Sequence, residues 1–142
     1  MDVFEFRERG NSGVDDRTEW LVQQVIGAAI EVHRALKPGR PESAYKLALC
    51  HELSLKGVPF ECEVSIPIIY KGVKVGESFI DVFVEKCLVV ELKAVDQLTD
   101  VHRSQVIGYL QGTNLRLGLL INFNVSQLRN GIKRVLNTYI ST

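Results

Sequence analysis

Residues 79–94 form two apolar runs separated by Glu85-Lys86, and two acidic residues and one lysine interrupt those runs. Asp81 lies in the first run, and Glu91 and Lys93 lie in the second run. Because successive side chains of a strand point to opposite faces, Glu91 and Lys93 share one face, with Cα atoms roughly 7 Å apart. If the two halves pair as a hairpin, Asp81 lies on the neighbouring strand, facing Glu91. The pattern therefore predicts two carboxylates and an ammonium group on one patch of a largely apolar sheet.

Charged groups on a buried strand are unfavourable unless they pair or hold a metal ion, so this patch predicts a functional site. Mg²⁺ prefers oxygen ligands and commonly uses one or two carboxylates with waters and substrate phosphates. Asp81 and Glu91 would supply two carboxylates, and the backbone carbonyl of Leu92 would supply a third oxygen. A metal ion held there would activate a water and polarise a phosphoryl oxygen. Lys93 would orient that water or stabilise charge on the phosphate, and the reaction would be metal-assisted hydrolysis of a phosphodiester.

Three residues outside the stretch are candidates for the same centre. Glu42 follows Pro41, which suits the first position of a helix, so the carboxylate of Glu42 falls in the first turn. Tyr45 is three positions later and shares the face of Glu42. Gln105 lies in the middle of a later predicted helix, where its amide would hydrogen-bond the water, Lys93 or a phosphate. Glu42 is therefore a candidate metal ligand, and Gln105 and Tyr45 are candidates for support.

Length and composition are those of one globular domain. The 142 residues are 46% hydrophobic and 24% charged, which is enough to bury a core. Seventeen basic residues balance seventeen acidic ones, so bulk charge gives no signal for nucleic acid. The apolar runs fall short of the roughly 20 residues that span a membrane, and the N-terminus lacks a signal-peptide pattern. Because Cys50, Cys62 and Cys87 form no CxxC pair, we expect reduced thiols, no structural zinc and a cytoplasmic protein.

Apolar periodicity predicts the order α, α, β, β, β, α, β, α after a flexible N-terminal arm at residues 1–17. The helices are expected near 18–36, 41–55, 99–111 and 126–139, and the strands at 61–70, in the two halves of 79–94, and at 115–123. The expected N-caps are Thr18 or Asp16 for the first helix and Thr99 or Asp100 for the third. Turn signals stand at Lys37–Gly39, Lys56-Gly57, Lys71-Gly72, Val75-Gly76, Glu85-Lys86 and Gly112–Asn114.

Individual residues place these elements in a sheet. Pro67 predicts that the strand at 61–70 is an edge strand or contains a bulge, because proline cannot donate to a sheet ladder. The nearly continuous apolar run at 115–123 predicts a strand buried on both faces. In the third helix, Val101, Ile107 and Leu110 are expected to point inward.

The arrangement of Asp81, Glu91 and Lys93 on adjacent strands after an acidic helix resembles the PD-(D/E)XK nuclease superfamily. Within it, the spacing of Gly39, Glu42 and Tyr45, preceded by the segment 30–36, resembles the GxxExxY protein family. The similarity extends from about residue 18 to residue 137. Ile80 stands where the superfamily name has proline, and Arg40 and Pro41 fill the variable pair of the Gly-x-x-Glu loop; neither departure removes a ligand.

The resemblance implies an α/β fold with a restriction-endonuclease-like core, a mixed β-sheet flanked by helices, in one domain at 18–142. It implies a site formed by Glu42, Asp81, Glu91, Lys93 and Gln105. The corresponding activity is that of a nuclease dependent on Mg²⁺ or Mn²⁺, with DNA favoured over RNA only by analogy with the superfamily. Small nucleases of this kind often pair, so a homodimer is a further expectation.

Other interpretations stay open at this point. Glu91 and Lys93 could form an ordinary surface ladder balanced by Asp81, and Glu42 could be a first-turn helix charge. A nuclease fold with little or no turnover could bind nucleic acid or a protein partner, and a small phosphoesterase could act on free nucleotides. The three histidines show no metal-ligand spacing. Basic residues could also form a local phosphate track, that is, a row of side chains that contacts a nucleic-acid backbone. The candidates are Lys71, Lys74, Arg103 and Arg116.

Overall fold

The structure is a computed structural model that describes residues 13–138. In this part of the chain, one mixed sheet of five strands has the order β1-β2-β3-β4-β5. Neighbouring strands are antiparallel except β3 and β4, which are parallel and joined through α3. The α/β fold expected from the sequence is therefore confirmed. The elements are α1 (Asp16–Leu36), α2 (Glu42–Leu55), β1 (Phe60–Tyr70), β2 (Val73–Val84), β3 (Leu88–Lys93), α3 (Asp100–Thr113), β4 (Leu117–Asn122), a 3-10 helix (Leu128–Gly131) and β5 (Ile132–Leu136).

The sheet separates two apolar layers, as expected when helices cover both faces. Helices α1 and α2 pack on the face that carries Val82, Val90 and Leu119. Helix α3 packs on the other face, against Val89 and Leu120. Every residue of β4 is buried, which confirms the prediction of a strand covered on both sides.

Two hairpins join the first three strands. Lys71 and Gly72 form the first turn with φ of 49° and 80°, and β1 is an edge strand, as Pro67 predicts. The predicted turn at Val75-Gly76 is wrong, because β2 runs through both residues. Gly76 instead pairs with Ile68, where the register shifts, so this glycine marks an irregularity within a strand.

The second hairpin confirms the turn predicted between the two halves of 79–94. Glu85 and Lys86 both have positive φ, 50° and 54°, and the ladder pairs Val84 with Leu88. The pairing of β2 with β3 ends at Val82 and Val90, although both strands continue. The two strands therefore separate beyond this point and leave a fork in the sheet.

Two helix ends differ from expectation by a few residues. The N-cap of α1 is Asp15, not Thr18 or Asp16, because the Asp15 carboxylate accepts a hydrogen bond of 2.7 Å from the Thr18 amide. Asp16 already lies in α1, whereas residues 1–12 of the predicted arm lie outside the described residues. Pro41 is the N-cap of α2, one position before the first helical residue.

Helix α3 confirms one cap and corrects one inward position. Thr99 is the N-cap and forms a capping box with His102. Val101 is 71% exposed, so its inward assignment is wrong. It lies five residues before the buried Val106, a rotation of roughly 140° from that side chain. The helix ends at Thr113, within the predicted breaking segment.

The last predicted helix, residues 126–139, is wrong, since this segment forms the 3-10 helix and then β5. Its apolar residues fit a helical spacing, but a Cβ atom at Gly131 would overlap the carbonyl oxygen of Asn122, so the backbone approaches closely there. Strand β5 then pairs antiparallel with β4. A buried pair of hydrogen bonds joins Arg134 of β5 to Glu19 of α1. Position 139 lies outside the described residues.

Candidate active site

Three of the residues predicted for the site meet at the fork between β2 and β3. Asp81 lies one position beyond the last pair of the ladder in β2, and Glu91 lies one position beyond it in β3. The Asp81 carboxylate accepts a hydrogen bond of 2.9 Å from the Leu92 amide, so a side chain occupies the opening. Lys93 ends β3 on the same face as Glu91. The hairpin therefore produces the cluster that its sequence pattern predicts.

Glu91 is buried at 4% exposure, an unusual environment for a carboxylate. Its Oε2 atom lies 3.2 Å from the Lys93 ammonium. Its Oε1 atom is buried without a hydrogen-bond partner among the described residues. Burial and the neighbouring Asp81 carboxylate raise the pKa of Glu91 to about 8, although Lys93 acts in the opposite direction. The positive charge of Lys93 is therefore too small to offset the effect of burial and of Asp81 on the ionised form of Glu91.

Glu42 approaches this cluster from the first turn of α2. Although the residue is exposed, partial burial of its carboxyl raises its pKa, and the Asp81 carboxylate raises it further. Lys93 opposes this shift, so the pKa of Glu42 depends on the charges of both Asp81 and Lys93. The carboxylates of Glu42, Asp81 and Glu91 therefore share one electrostatic environment. Such repulsion among like charges is relieved by a cation.

A second ion pair, not predicted from the sequence, borders the cluster. Lys46 of α2 donates a hydrogen bond to Glu63 of β1, which raises the pKa of Lys46, and Asp81 raises it further. Glu63 lies between the register pairs Cys62–Val82 and Val64–Ile80 and has φ of 52°, a strained conformation for a residue other than glycine. Lys46 is four residues after Glu42, a spacing that places both on one helical face and was available in the sequence.

Tyr45 contacts the backbone that precedes Glu42. Its hydroxyl donates a hydrogen bond to the carbonyl of Lys37 and accepts one of 3.1 Å from the amide of Arg40. Its ring is fully buried and stacks on Phe123 with centroids 4.6 Å apart. These contacts hold the loop between α1 and α2 in place, so the support that Tyr45 gives to Glu42 is positional.

Gln105 lies on α3. It is exposed and lines a cleft of about 680 Å³ between α3 and the outer half of β1. Tyr109, one turn later, lines the same cleft and is buried. Burial and the carboxylates of Glu91 and Asp81 raise the pKa of Tyr109 to about 12. Tyr109 therefore lines the cleft and also interacts with the carboxylates at the fork. Tyr109 was not among the residues predicted from the sequence, although its spacing of four residues from Gln105 places both on one face of a helix.

Two of the three histidines have structural partners. The Nε2 atom of His33 lies 2.7 Å from the carbonyl oxygen of Val125, and Nδ1 of His102 accepts a hydrogen bond from the Thr99 amide. His51 is exposed on α2. These positions agree with the absence of metal-ligand spacing in the sequence.

The donor set suits a hard cation that keeps part of its water shell. Among the described residues, no three His, Cys, Asp or Glu side chains converge closely enough to hold a metal ion by themselves. Asp81 and Glu91 offer two carboxylates next to a backbone carbonyl, and the unpartnered Oε1 of Glu91 provides a free acceptor. Mg²⁺ commonly binds through one or two carboxylates and several waters. The residues at the fork therefore fit such an ion.

Comparison with known proteins agrees with this geometry. The family model of the PD-(D/E)XK nuclease superfamily matches residues 19–135, which include the whole fork and α2. A comparison with curated proteins gives no match. None of the helices within residues 13–138 is long and apolar enough to cross a membrane.

Proposed function

Since the chain belongs to the PD-(D/E)XK nuclease superfamily, we propose that it is a nuclease that uses Mg²⁺ or Mn²⁺ to hydrolyse phosphodiester bonds. The observation that carries this proposal is the buried Glu91 carboxylate, which has a free oxygen and adjoins Asp81 and Lys93. A group so placed is unfavourable in a merely structural role, because a buried carboxylate with one unpartnered oxygen and a second carboxylate beside it costs free energy.

The proposed metal ligands are Asp81, Glu91 and the backbone carbonyl of Leu92, and Glu42 would complete the set through a water, because the three carboxylates do not converge closely enough for all to bind directly. When bound, a divalent cation would lower the pKa of a coordinated water and neutralise charge on the phosphate. Asp81 is oriented by its hydrogen bond to the Leu92 amide, so its carboxylate is fixed before substrate arrives. Glu42 would approach from the first turn of α2, where the Asp81 carboxylate raises its pKa.

Lys93 is the proposed group that acts on the water or the phosphate. Its ammonium is 3.2 Å from Glu91 and mostly buried, with a side-chain exposure of 15%. A cation in a partly dehydrated site stabilises developing negative charge more strongly than it would in water. Gln105 and Tyr109 lie beyond the fork on the cleft side, where Gln105 is proposed to contact the substrate backbone.

Assignment to the GxxExxY family is proposed from the loop before α2. Gly39 has φ of 98°, a conformation that favours glycine. Tyr45 bridges Lys37 and Arg40 across this loop, which sets the entry of the chain to the helix that begins at Glu42. Gly39 and Tyr45 therefore shape the loop that leads into Glu42, which supports the three residues being a functional unit.

DNA is proposed as the substrate by analogy with the superfamily. The chain carries no excess of positive charge, so binding of a duplex would depend on local contacts or on a second copy of the chain. A homodimer is proposed for this reason. Of the candidates for a phosphate track, Lys74 is paired with Glu77 and Lys71 lies over the ring of Tyr70. The proposal of a cytoplasmic location rests on the sequence.

A binding module without turnover is the second candidate. The raised pKa of Glu91 favours it, since a carboxyl that stays protonated at neutral pH is a poor metal ligand. Metal affinity separates the two: an intact site binds Mn²⁺ measurably, whereas a vestigial one does not. A third candidate, a phosphoesterase for free nucleotides, is supported only by the size of the cleft beside Gln105.

The test is cleavage of single-stranded, duplex and branched DNA, and of RNA, with Mg²⁺, Mn²⁺ or EDTA. Lys93→Ala and Asp81→Ala are compared with the wild type, and Lys133→Ala, at an exposed position of β5, is the matched control. We expect metal-dependent cleavage that both site variants lose and the control keeps. Free nucleotides in the same panel test the third candidate. Folded protein that binds metal and cleaves none of these substrates would contradict the proposal.

A further inference from the structure

Two cysteines from different elements meet beside the ion pair of Lys46 and Glu63. Cys50 lies in α2 and Cys62 in β1, and their sulfur atoms are 2.9 Å apart. Both are free thiols in the structure. The third cysteine, Cys87, donates a hydrogen bond to the carbonyl of Glu85, in the turn between β2 and β3. The chain therefore contains one close thiol pair and one cysteine with a different partner.

We propose that Cys50 and Cys62 are an oxidation site, at which a low-molecular-weight disulfide such as oxidised glutathione converts the two thiols into one disulfide bond between α2 and β1. The contact of 2.9 Å shows that the two side chains already point at each other. Thiols that must form a disulfide without backbone movement require this orientation. Disulfide formation does not require nuclease activity.

The exposures of the two thiols set the order of steps. Cys62 is exposed, so its thiolate attacks the small disulfide, forms a mixed disulfide and releases one small thiolate. Cys50 then loses its proton and attacks the sulfur of Cys62, which releases the second small thiolate. Two protein thiols are oxidised, and one small disulfide is reduced to two thiols. Burial and the neighbouring Cys62 raise the pKa of Cys50 to about 12, so the closing step accelerates as pH rises.

The position of the pair gives the disulfide a consequence for the site. Lys46 lies one turn before Cys50 in α2, and Glu63 directly follows Cys62 in β1. The bond would therefore lock together the two elements that the Lys46–Glu63 ion pair already joins, next to Asp81. It closes a short loop, and a native disulfide of this kind restricts the unfolded chain. Oxidation is expected to raise the melting temperature by roughly 5–15 °C.

The test treats the full chain with oxidised glutathione, blocks remaining thiols and maps the product by mass spectrometry without reduction. Trypsin cuts after Lys56, between the two cysteines, and gives peptides 47–56 and 57–71. We expect these peptides to be linked, the intact mass to fall by two hydrogens, and dithiothreitol to reverse both changes. Cys87→Ser, the matched control, forms the same link. Cys50→Ser stops at a glutathione adduct on Cys62.

Three outcomes would overturn the proposal. Glutathione that stays on Cys62 of the wild type would show that Cys50 cannot close the bond. A disulfide between two chains through Cys62 would show that the pair is not intramolecular. A linked product that persists in Cys62→Ser would assign the bond elsewhere. Because Cys62 is exposed, this variant is expected to fold even if Cys50→Ser does not.

Discussion

The buried carboxyl of Glu91 predicts a measurable dependence of stability on pH. In the folded chain its pKa rises from 4.5 to about 8 because of burial and the Asp81 carboxylate. Between these two values the folded state binds more protons than the unfolded state, so the free energy of unfolding falls as pH rises. From pH 6 to pH 8.5 the linkage relation gives a loss of about 2–3 kcal/mol from this one group.

The substitution that tests this dependence is Glu91→Gln, which keeps the shape of the side chain and removes its titration. Urea denaturation followed by circular dichroism in EDTA measures the free energy of unfolding at both pH values. We expect the wild type to lose about 2–3 kcal/mol more than Glu91→Gln over this interval. Glu61→Gln, at an exposed position of β1, controls for removal of a carboxylate and should behave as the wild type.

Adding Mn²⁺ gives a second measurement on the same two proteins. A cation that binds the ionised carboxylate stabilises only the folded state, so saturating Mn²⁺ should restore much of the stability lost at pH 8.5. It should have little effect on Glu91→Gln. An equal dependence on pH in the wild type and in Glu91→Gln, without metal, would refute the assignment of a buried, titrating carboxyl at the fork.

Two further substitutions test how the site is positioned. Tyr45→Phe keeps the ring but removes the hydroxyl that bridges Lys37 and Arg40, so it should cost about 1–3 kcal/mol of unfolding free energy and reduce Mn²⁺ affinity measured by calorimetry. Glu19→Ala leaves Arg134 buried without its partner, which should cost about 3–5 kcal/mol in a urea titration.

Each of these has a clear contrary result. Unchanged stability and metal affinity in Tyr45→Phe would show that the loop before α2 does not depend on the hydroxyl. For the buried ion pair, Glu31→Ala is the matched control, since Glu31 pairs with Arg34 at the surface and its loss should cost little. A similar small cost for Glu19→Ala would show that Arg134 finds water or another partner.

The sequence predicted those parts of the fold that depend on local patterns. The hairpin between β2 and β3 follows from two apolar runs and a short polar turn, and strand alternation alone puts Glu91 and Lys93 on one face. The buried β4 follows from its continuous apolar run. These features need only neighbours in the chain, so they could be predicted without coordinates.

The features that were missed depend on contacts between distant segments. Residues 128–136 carry an apolar spacing that fits a helix, and only pairing with β4 and the buried contact of Arg134 with Glu19 make residues 132–136 a strand. Lys46 and Tyr109 belong to the site because they interact with Asp81, which lies on a different element from either of them. The meeting of Cys50 with Cys62 likewise depends on how α2 packs beside β1.

The most direct test of the proposed nuclease compares metal binding with cleavage in two variants. Lys93→Ala removes the ammonium but keeps the carboxylates, so it should still bind Mn²⁺ above the pKa of Glu91 and lose cleavage in single-turnover assays. Asp81→Ala should lose both. Cleavage at the wild-type rate by Lys93→Ala, in protein purified free of contaminating nuclease, would contradict the role of the fork as the active site.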